Sequence, residues 1–164
     1  MPDSGRLRPL STGLRAMTAS TTLTLVDGVR IVVPDSLGLM TPYVLLEQQD
    51  WFEDEIKFLR RALQPGQKVV DIGANYGVYT HSMAHTVGPS GRVWAFEPAS
   101  STARLLVEGI AANGFGHVVV ESSALSNTCG SARLSLNENS ELNALVQGNP
   151  STGESEIVPQ GRSV

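Results

Sequence analysis

The chain has 164 residues, of which 41% are hydrophobic and 17% charged, and its formal net charge is −4. This composition is typical of a globular domain and excludes a fibrous or wholly disordered chain. Because the charge is negative and Lys and Arg form no cluster, it gives no support for a nucleic-acid or anionic-membrane partner.

Cys129 is the only cysteine, so an intrachain disulfide framework is excluded. No apolar run approaches the ~18 residues that a membrane span needs. The N-terminal residues lack the apolar segment of about 7–15 residues that defines a secretory signal. We therefore expect a cytoplasmic protein without a membrane partner.

The first part of the sequence predicts a β-hairpin after a flexible lead-in. Residues 1–20 are rich in Pro, Gly, Ser and Thr, as flexible segments are. Residues 23–26 and 29–33 are β-rich and flank Asp27 and Gly28. An Asp-Gly pair between two such runs favours a type I′ turn, which needs positive φ at both residues.

One helix is expected to follow this hairpin. Residues 35–42, which end in proline, are predicted as a loop. From Val44 to Leu63 the apolar residues recur at helical spacing, and Phe52, Ile56 and Leu59 share one face with Leu63. Residues 21–64 would then form an N-terminal hairpin-and-helix unit.

Residues 65–121 alternate between apolar strands and helices. The predicted elements are a strand over 68–72, a helix over 76–86, a strand over 93–96, a helix over 100–112 that Ser or Thr caps, and a strand over 117–120. Alternation of this kind is typical of a parallel sheet with right-handed crossovers. The predicted fold class is therefore α/β and Rossmann-like.

The remaining sequence adds little regular structure to this prediction. Residues 132–136 alternate like a short strand, 137–155 are expected to be loop, and a strand-like run begins at 156. Only three parallel strands are recognisable, so the predicted sheet is incomplete and should expose apolar surface at one edge.

A glycine turn after the first strand is the strongest functional signal. Its spacing, Asp71-x-Gly73-x-x-x-Gly77, lacks the middle glycine of the dinucleotide fingerprint, where the backbone approaches a pyrophosphate. An acid at the turn repels phosphate but suits a cationic ligand such as S-adenosylmethionine. NAD or a nucleotide sugar is the weaker alternative.

Two further positions lie at the same predicted edge of the sheet. Glu97 ends the second strand, where its carboxylate can accept both ribose hydroxyls, and Pro98 then fixes the turn. Ser123 follows the third strand and can flank an adenine. These residues fit a cofactor that contains adenosine.

Four segments, residues 69–77, 88–93, 95–98 and 124–126, resemble the FkbM-type family of S-adenosylmethionine-dependent methyltransferases. The resemblance implies a class I methyltransferase fold and O-methylation of a hydroxyl on a small-molecule or glycan acceptor, such as a sugar or a secondary metabolite. It also implies a set of cofactor-binding residues: Asp71, Gly73, Ala74, Asn75 and Gly77 at the methionine moiety, and Glu97 at the ribose.

The chain departs from the family pattern in two places. Gly109 stands where members tend to have asparagine, although a glycine within a helix costs ~1 kcal/mol relative to alanine. The family's next block, an Asp-x-Glu-Gly-x-Glu-like segment, is absent. Residues 65–164 are thus expected to form a partial S-adenosylmethionine-binding domain, and the alternative function is a cofactor-binding remnant without turnover.

Several side chains also have a plain structural interpretation. Asp71 can simply cap the following helix, and Tyr76 and Tyr79 are expected to be packing residues. His81 and His85 have the i, i+4 spacing of metal ligands, but no third ligand is evident, so we expect a solvated or partly buried pair and no metal. The sequence identifies neither a catalytic base nor an oligomeric state.

Overall fold

A computed structural model describes residues 19–137, 140–146 and 154–162. The predicted lead-in, residues 1–20, lies outside this part of the chain except for its last two residues. None of the described helices is long and apolar enough to cross a membrane.

The N-terminal hairpin is confirmed, but its predicted turn is wrong. Strand β1 (Ser20–Thr24) pairs antiparallel with β2 (Arg30–Pro34), which leaves five residues in the connection. Only Gly28 of the central pair has positive φ, at 80°. The Asp27 carboxylate accepts the N–H of Val29 at 3.1 Å, and this Asx-type bond stabilises the longer turn.

The predicted single helix over Val44–Leu63 is wrong, because the structure has two shorter helices. Helix α1 (Met40–Gln48) begins within the segment predicted as loop, and α2 (Asp54–Ala62) follows after a break. Gln49 ends α1 in the left-handed conformation with φ 54°. The Asp50 carboxylate then accepts the N–H of Trp51 at 2.8 Å, so the chain turns before α2 begins.

An arginine on α2 fixes this break against the rest of the molecule. The Arg60 guanidinium donates to both carboxylate oxygens of Asp50, at 2.7 and 2.9 Å, and its Nε donates to the Ser82 hydroxyl at 2.7 Å. Of the predicted apolar face, Ile56 is fully buried, whereas Phe52 precedes α2 and is 47% exposed. The ion pair between Arg60 and Asp50 therefore positions the segment between the two helices.

The central parallel sheet confirms the Rossmann-like α/β fold. Its elements are β3 (Lys68–Ile72), α3 (Val78–Val87), β4 (Arg92–Phe96), α4 (Ser100–Asn113) and β5 (Val118–Glu121). The strand order is β3-β4-β5, and both strand pairs are parallel. Gly114 ends α4 with φ 67°, as its position after Asn113 predicts.

One face of this sheet packs against helices, and on the other face β3 exposes apolar side chains. Val69 and Val93 pack with residues of α3, and Ala95 packs with α4. Since successive side chains point to opposite faces, Val70 and Ile72 lie on the other face, where they are 55% and 64% exposed. Both residues belong to β3, an edge strand of this sheet, so the apolar exposure expected at one edge is found on the side chains of that strand.

A second sheet follows, and the prediction that residues 137–155 are loop is wrong at 144–146 and 154–155, which lie in strands. The strands are β6 (Ala124–Ser126), β7 (Gly130–Leu136), β8 (Ala144–Val146) and β9 (Glu154–Arg162), in the order β6-β9-β7-β8. A 3-10 turn at Ser140–Leu142 precedes β8. The strands predicted at 132–136 and from 156 are confirmed as parts of β7 and β9, whereas β6 and β8, of three residues each, are not predicted from local composition.

The second sheet caps α4, and the expected Ser or Thr cap is wrong. The N-cap residue is Ala99, without a side-chain cap bond. Instead, the Glu156 carboxylate accepts the N–H of Ser100 at 2.8 Å and its hydroxyl at 2.7 Å. Ala99 is buried with Leu134 and Val158, which holds the start of α4 against the second sheet. Glu156 of β9 can therefore take the place of a local cap.

Candidate functional site

A cavity of about 260 Å³ lies between the glycine turn and the segments around α1 and α2. The lining residues are Met40, Thr41, Trp51, Glu53, Asp71, Gly73, Ala74, Asn75, Tyr76, Val78 and Tyr79. The cavity thus combines the predicted cofactor turn with side chains from the N-terminal unit.

The five N–H groups of the glycine turn, residues 73–77, all donate to acceptors within the protein. Gly73 and Ala74 donate to the Phe96 carbonyl, Asn75 to the Glu97 carboxylate, Tyr76 to the Asn75 side chain and Gly77 to the Ala74 carbonyl, at 2.8–3.0 Å. Left-handed backbone at Gly73, Asn75 and Gly77 makes this closed turn possible. The turn therefore lacks the outward N–H groups that bind a phosphate.

Asp71 both lines the cavity and interacts with the start of α3. The Thr80 hydroxyl donates to its carboxylate at 2.5 Å. Burial raises the pKa of Asp71, and hydrogen bonds from the Thr80 hydroxyl and N–H oppose this shift. The helix-capping interpretation thus has a contact to support it, and the same carboxylate remains at the cavity wall.

Glu97 joins the two loops at the strand ends and is only 7% exposed. Its oxygens accept the N–H groups of Asn75 at 2.8 Å and Ala99 at 2.9 Å. Burial raises the pKa of Glu97, and the charges of Asp71 and Glu156 raise it further. The two N–H bonds lower it by a smaller amount. Because a carboxylate offers about four acceptor sites, each oxygen can still accept one hydroxyl.

The structure brings four of the predicted cofactor residues to the cavity and places the other four outside its lining. Asp71, Gly73, Ala74 and Asn75 line it. Gly77 caps α3, and Glu97 and Pro98 follow the end of β4. Ser123 follows β5, and its N–H donates to the Glu121 carbonyl. Contact of these residues with a cofactor remains a prediction.

The sequence analysis missed a cluster of polar and aromatic side chains in the cavity wall. The Tyr79 hydroxyl donates to Glu53 Oε2 at 2.5 Å, and Trp51 Nε1 donates to the same oxygen at 2.9 Å. These two bonds lower the pKa of Glu53. Burial, with the Glu53 bond, raises the pKa of Tyr79. Helical periodicity concealed Glu53, because it fitted the polar face of a helix that is in fact broken there.

The prediction of a solvated or partly buried histidine pair is wrong for His81. This ring is fully buried, and Nδ1 lies 2.5 Å from the Gly77 carbonyl, while His85 is exposed. A Cβ on Gly109 would lie 2.4 Å from His81 Nε2, which explains the glycine within α4. Among the described residues, no three His, Cys, Asp or Glu side chains are grouped to hold a metal ion.

The second sheet also reaches the glycine turn. The Ser140 hydroxyl donates to Asn75 Oδ1 at 2.9 Å. Through this contact and the Glu156 cap, the C-terminal strands lie beside the carboxyl ends of β3 and β4, where open α/β sheets bind their ligands.

No protein-family model and no curated protein matches the chain. Among solved structures, it is similar to P. horikoshii TYW2 in complex with MeSAdo, with 19% identity, a TM-score of 0.48, and coverage of 66% of this chain and 37% of that one. Trm5b from Pyrococcus abyssi is similar with 20% identity and a TM-score of 0.47, over 62% of this chain and 27% of that one. A SAM-dependent O-methyltransferase from Thermotoga maritima is similar with 20% identity and a TM-score of 0.42, over 62% of this chain and 40% of that one. The chain spans less than half the length of each of these proteins.

Proposed function

We propose that the chain binds S-adenosylmethionine at the carboxyl edge of its parallel sheet and acts as a methyltransferase. One observation supports this choice of cofactor above all. The glycine turn has no N–H group left for a phosphate, Asp71 lines the cavity beside it, and Glu97 accepts the N–H of Asn75 within it. A cation next to these acids is favoured, whereas a pyrophosphate is repelled.

The size of the cavity indicates how the cofactor would be divided between two subsites. Pockets that enclose a drug-sized ligand measure about 300–1,000 Å³, and this cavity is about 260 Å³. We assign the methionine end to the cavity beside Asp71. The ribose would then lie at Glu97, with the adenine toward Pro98 and Ser123. The bound cofactor would supply an electrophilic methyl group on a sulfonium.

We propose that the acceptor is a hydroxyl on a sugar or a secondary metabolite, as the FkbM-type resemblance implies. The residues described above bind and orient the cofactor, which by itself lowers the barrier to an in-line displacement. An alcohol acceptor also needs a base for its proton, and we assign none. Binding without turnover is therefore the second candidate function.

Separate calorimetric titrations with S-adenosylmethionine and NAD test the proposal. We expect one equivalent of S-adenosylmethionine to bind and NAD to give no heat. If NAD bound and the methyl donor did not, the proposed cofactor would be wrong. If neither bound, the proposed function would be wrong as a whole. Incubation of the cofactor complex with sugar and secondary-metabolite alcohols, with S-adenosylhomocysteine as the measured product, then distinguishes turnover from binding alone.

A further inference from the structure

We propose that Glu53 binds the α-ammonium group of the cofactor's methionine end, an inference that rests on the proposed function. Neither the glycine turn nor the family resemblance includes this residue. Glu53 comes from the segment between α1 and α2, so the N-terminal unit would contribute directly to the cofactor site.

The charges of the cavity favour a cationic group. Two carboxylates, Glu53 and Asp71, lie in its wall, and none of the described residues that line it is Lys, Arg or His. Trp51, Tyr76 and Tyr79 complete one side with aromatic rings. Carboxylates and aromatic faces both attract ammonium and sulfonium groups, the more strongly where water is excluded.

Within the described part of the chain, both hydrogen bonds to Glu53 end on one oxygen, which leaves the other for a ligand. Trp51 Nε1 and the Tyr79 hydroxyl both donate to Oε2. These two bonds fix the carboxylate, and Oε1 keeps its capacity to accept an ammonium proton. A side chain ordered in this way loses little conformational entropy when a ligand binds.

The cofactor's other end is already assigned to Glu97, which does not line the cavity. The α-ammonium is the part of the methionine end that a carboxylate recognises by charge-assisted hydrogen bonds. Asp71 shares the cavity wall, but it also accepts the Thr80 hydroxyl at the start of α3. Glu53 also contacts α3, through Tyr79, but both of its hydrogen bonds end on Oε2, so Oε1 has no partner among the residues that the structure describes.

Ligands that differ in the ammonium group test this assignment in the full chain. S-adenosylhomocysteine and S-adenosyl-3-thiopropylamine contain an ammonium group, and 5′-methylthioadenosine does not. We expect Glu53→Gln to weaken binding of the first two about tenfold or more, because charged hydrogen bonds contribute more than neutral ones. The affinity for 5′-methylthioadenosine should stay within about twofold.

Glu55→Gln is the matched control, because Glu55 lies two residues away on α2 and is exposed. It should change none of the three affinities. If Glu53→Gln weakened the binding of all three ligands equally, the role of Glu53 would be merely structural and the inference would be overturned. Unchanged affinity for all three ligands would overturn it as well. If the wild-type chain bound 5′-methylthioadenosine as tightly as S-adenosylhomocysteine, the inference would fail and the proposed function would stand. If it bound none of the ligands, both would fail.

Discussion

At the scale of single residues, Glu97 connects the fold to the proposed function. Its two oxygens hold the glycine turn and the start of α4 through backbone N–H groups. The same oxygens would accept the ribose hydroxyls. Structure and ligand binding therefore depend on one buried carboxylate.

Glu97→Gln should lower the free energy of unfolding by about 1–3 kcal/mol, because an amide offers one acceptor oxygen and leaves a buried N–H unpaired. The exposed Glu121, at the end of the next strand, provides the control variant Glu121→Gln, which should stay within about 0.5 kcal/mol of wild type. Urea unfolding measures both variants. Equal stability of Glu97→Gln and wild type would contradict this account of the carboxylate.

Gly109→Ala should destabilise the protein although alanine is the better helix former. The gain in helix propensity is about 1 kcal/mol. The added Cβ would lie 2.4 Å from the fully buried His81 ring, and overpacking of this kind costs about 1–3 kcal/mol. Gly116→Ala is the control, since its Cβ would meet no atom within 4 Å. A higher urea midpoint for Gly109→Ala than for wild type would contradict this prediction, because it would mean that the His81 ring moves aside at little cost.

The buried His81 should also make stability depend on pH. Burial lowers the pKa of His81 below its ordinary value of 6.5, so below about pH 6.5 the unfolded chain binds a proton that the folded chain does not. The free energy of unfolding should therefore fall as the pH drops from 6.5 toward 5.

His81→Gln removes this titration, so its stability should fall less over the same range. Asp71 and Glu97 titrate in both proteins, and their raised pKa values act in the opposite direction, so the comparison of the two slopes isolates His81. Urea unfolding at several pH values measures the slopes. Equal slopes would contradict a proton-dependent role for His81.

At the scale of elements, the contact between β9 and α4 replaces a local helix cap. We expect Ser100→Ala and Glu156→Ala each to destabilise the fold by about 0.5–2 kcal/mol, the usual range for loss of a cap. In a double-mutant cycle the two effects should be less than additive, because both changes remove the bond from the hydroxyl to the carboxylate. Strict additivity would mean that the contact contributes nothing to stability.

The elements that could be predicted from the sequence are those whose interacting residues are close together in the chain. The elements of residues 65–121 are predictable, because apolar runs and glycine turns such as Gly73 and Gly114 act locally. The break at Gln49 is not, since glutamine is no typical turn residue. In the second sheet, alternation predicts strands at 132–136 and from 156, but not their pairing, because β9 pairs with β7 across a long segment.

The candidate site shows the same limit. The position of the glycine turn and the proximity of Asp71 and Glu97 follow from the rule that parallel strands end at one edge. The place of Glu53 in the same cavity does not follow, because it depends on how the N-terminal unit packs against α3. Its contact with Tyr79 spans 26 residues of sequence.

At the scale of the whole molecule, the N-terminal unit, the parallel sheet and the second sheet meet at one edge. Glu53 comes from the first, Asp71 and Glu97 from the second, and Ser140 from the third. The opposite face of the parallel sheet exposes Val70 and Ile72. The proposed site therefore lies where the described parts of the chain converge.

A crystal structure of the chain with S-adenosylhomocysteine tests the central claim most directly. The account predicts that the ribose hydroxyls lie within hydrogen-bond distance of the Glu97 carboxylate. It also predicts that the homocysteine end occupies the cavity beside Asp71. A ligand bound elsewhere, or one whose ribose makes no contact with Glu97, would contradict the account.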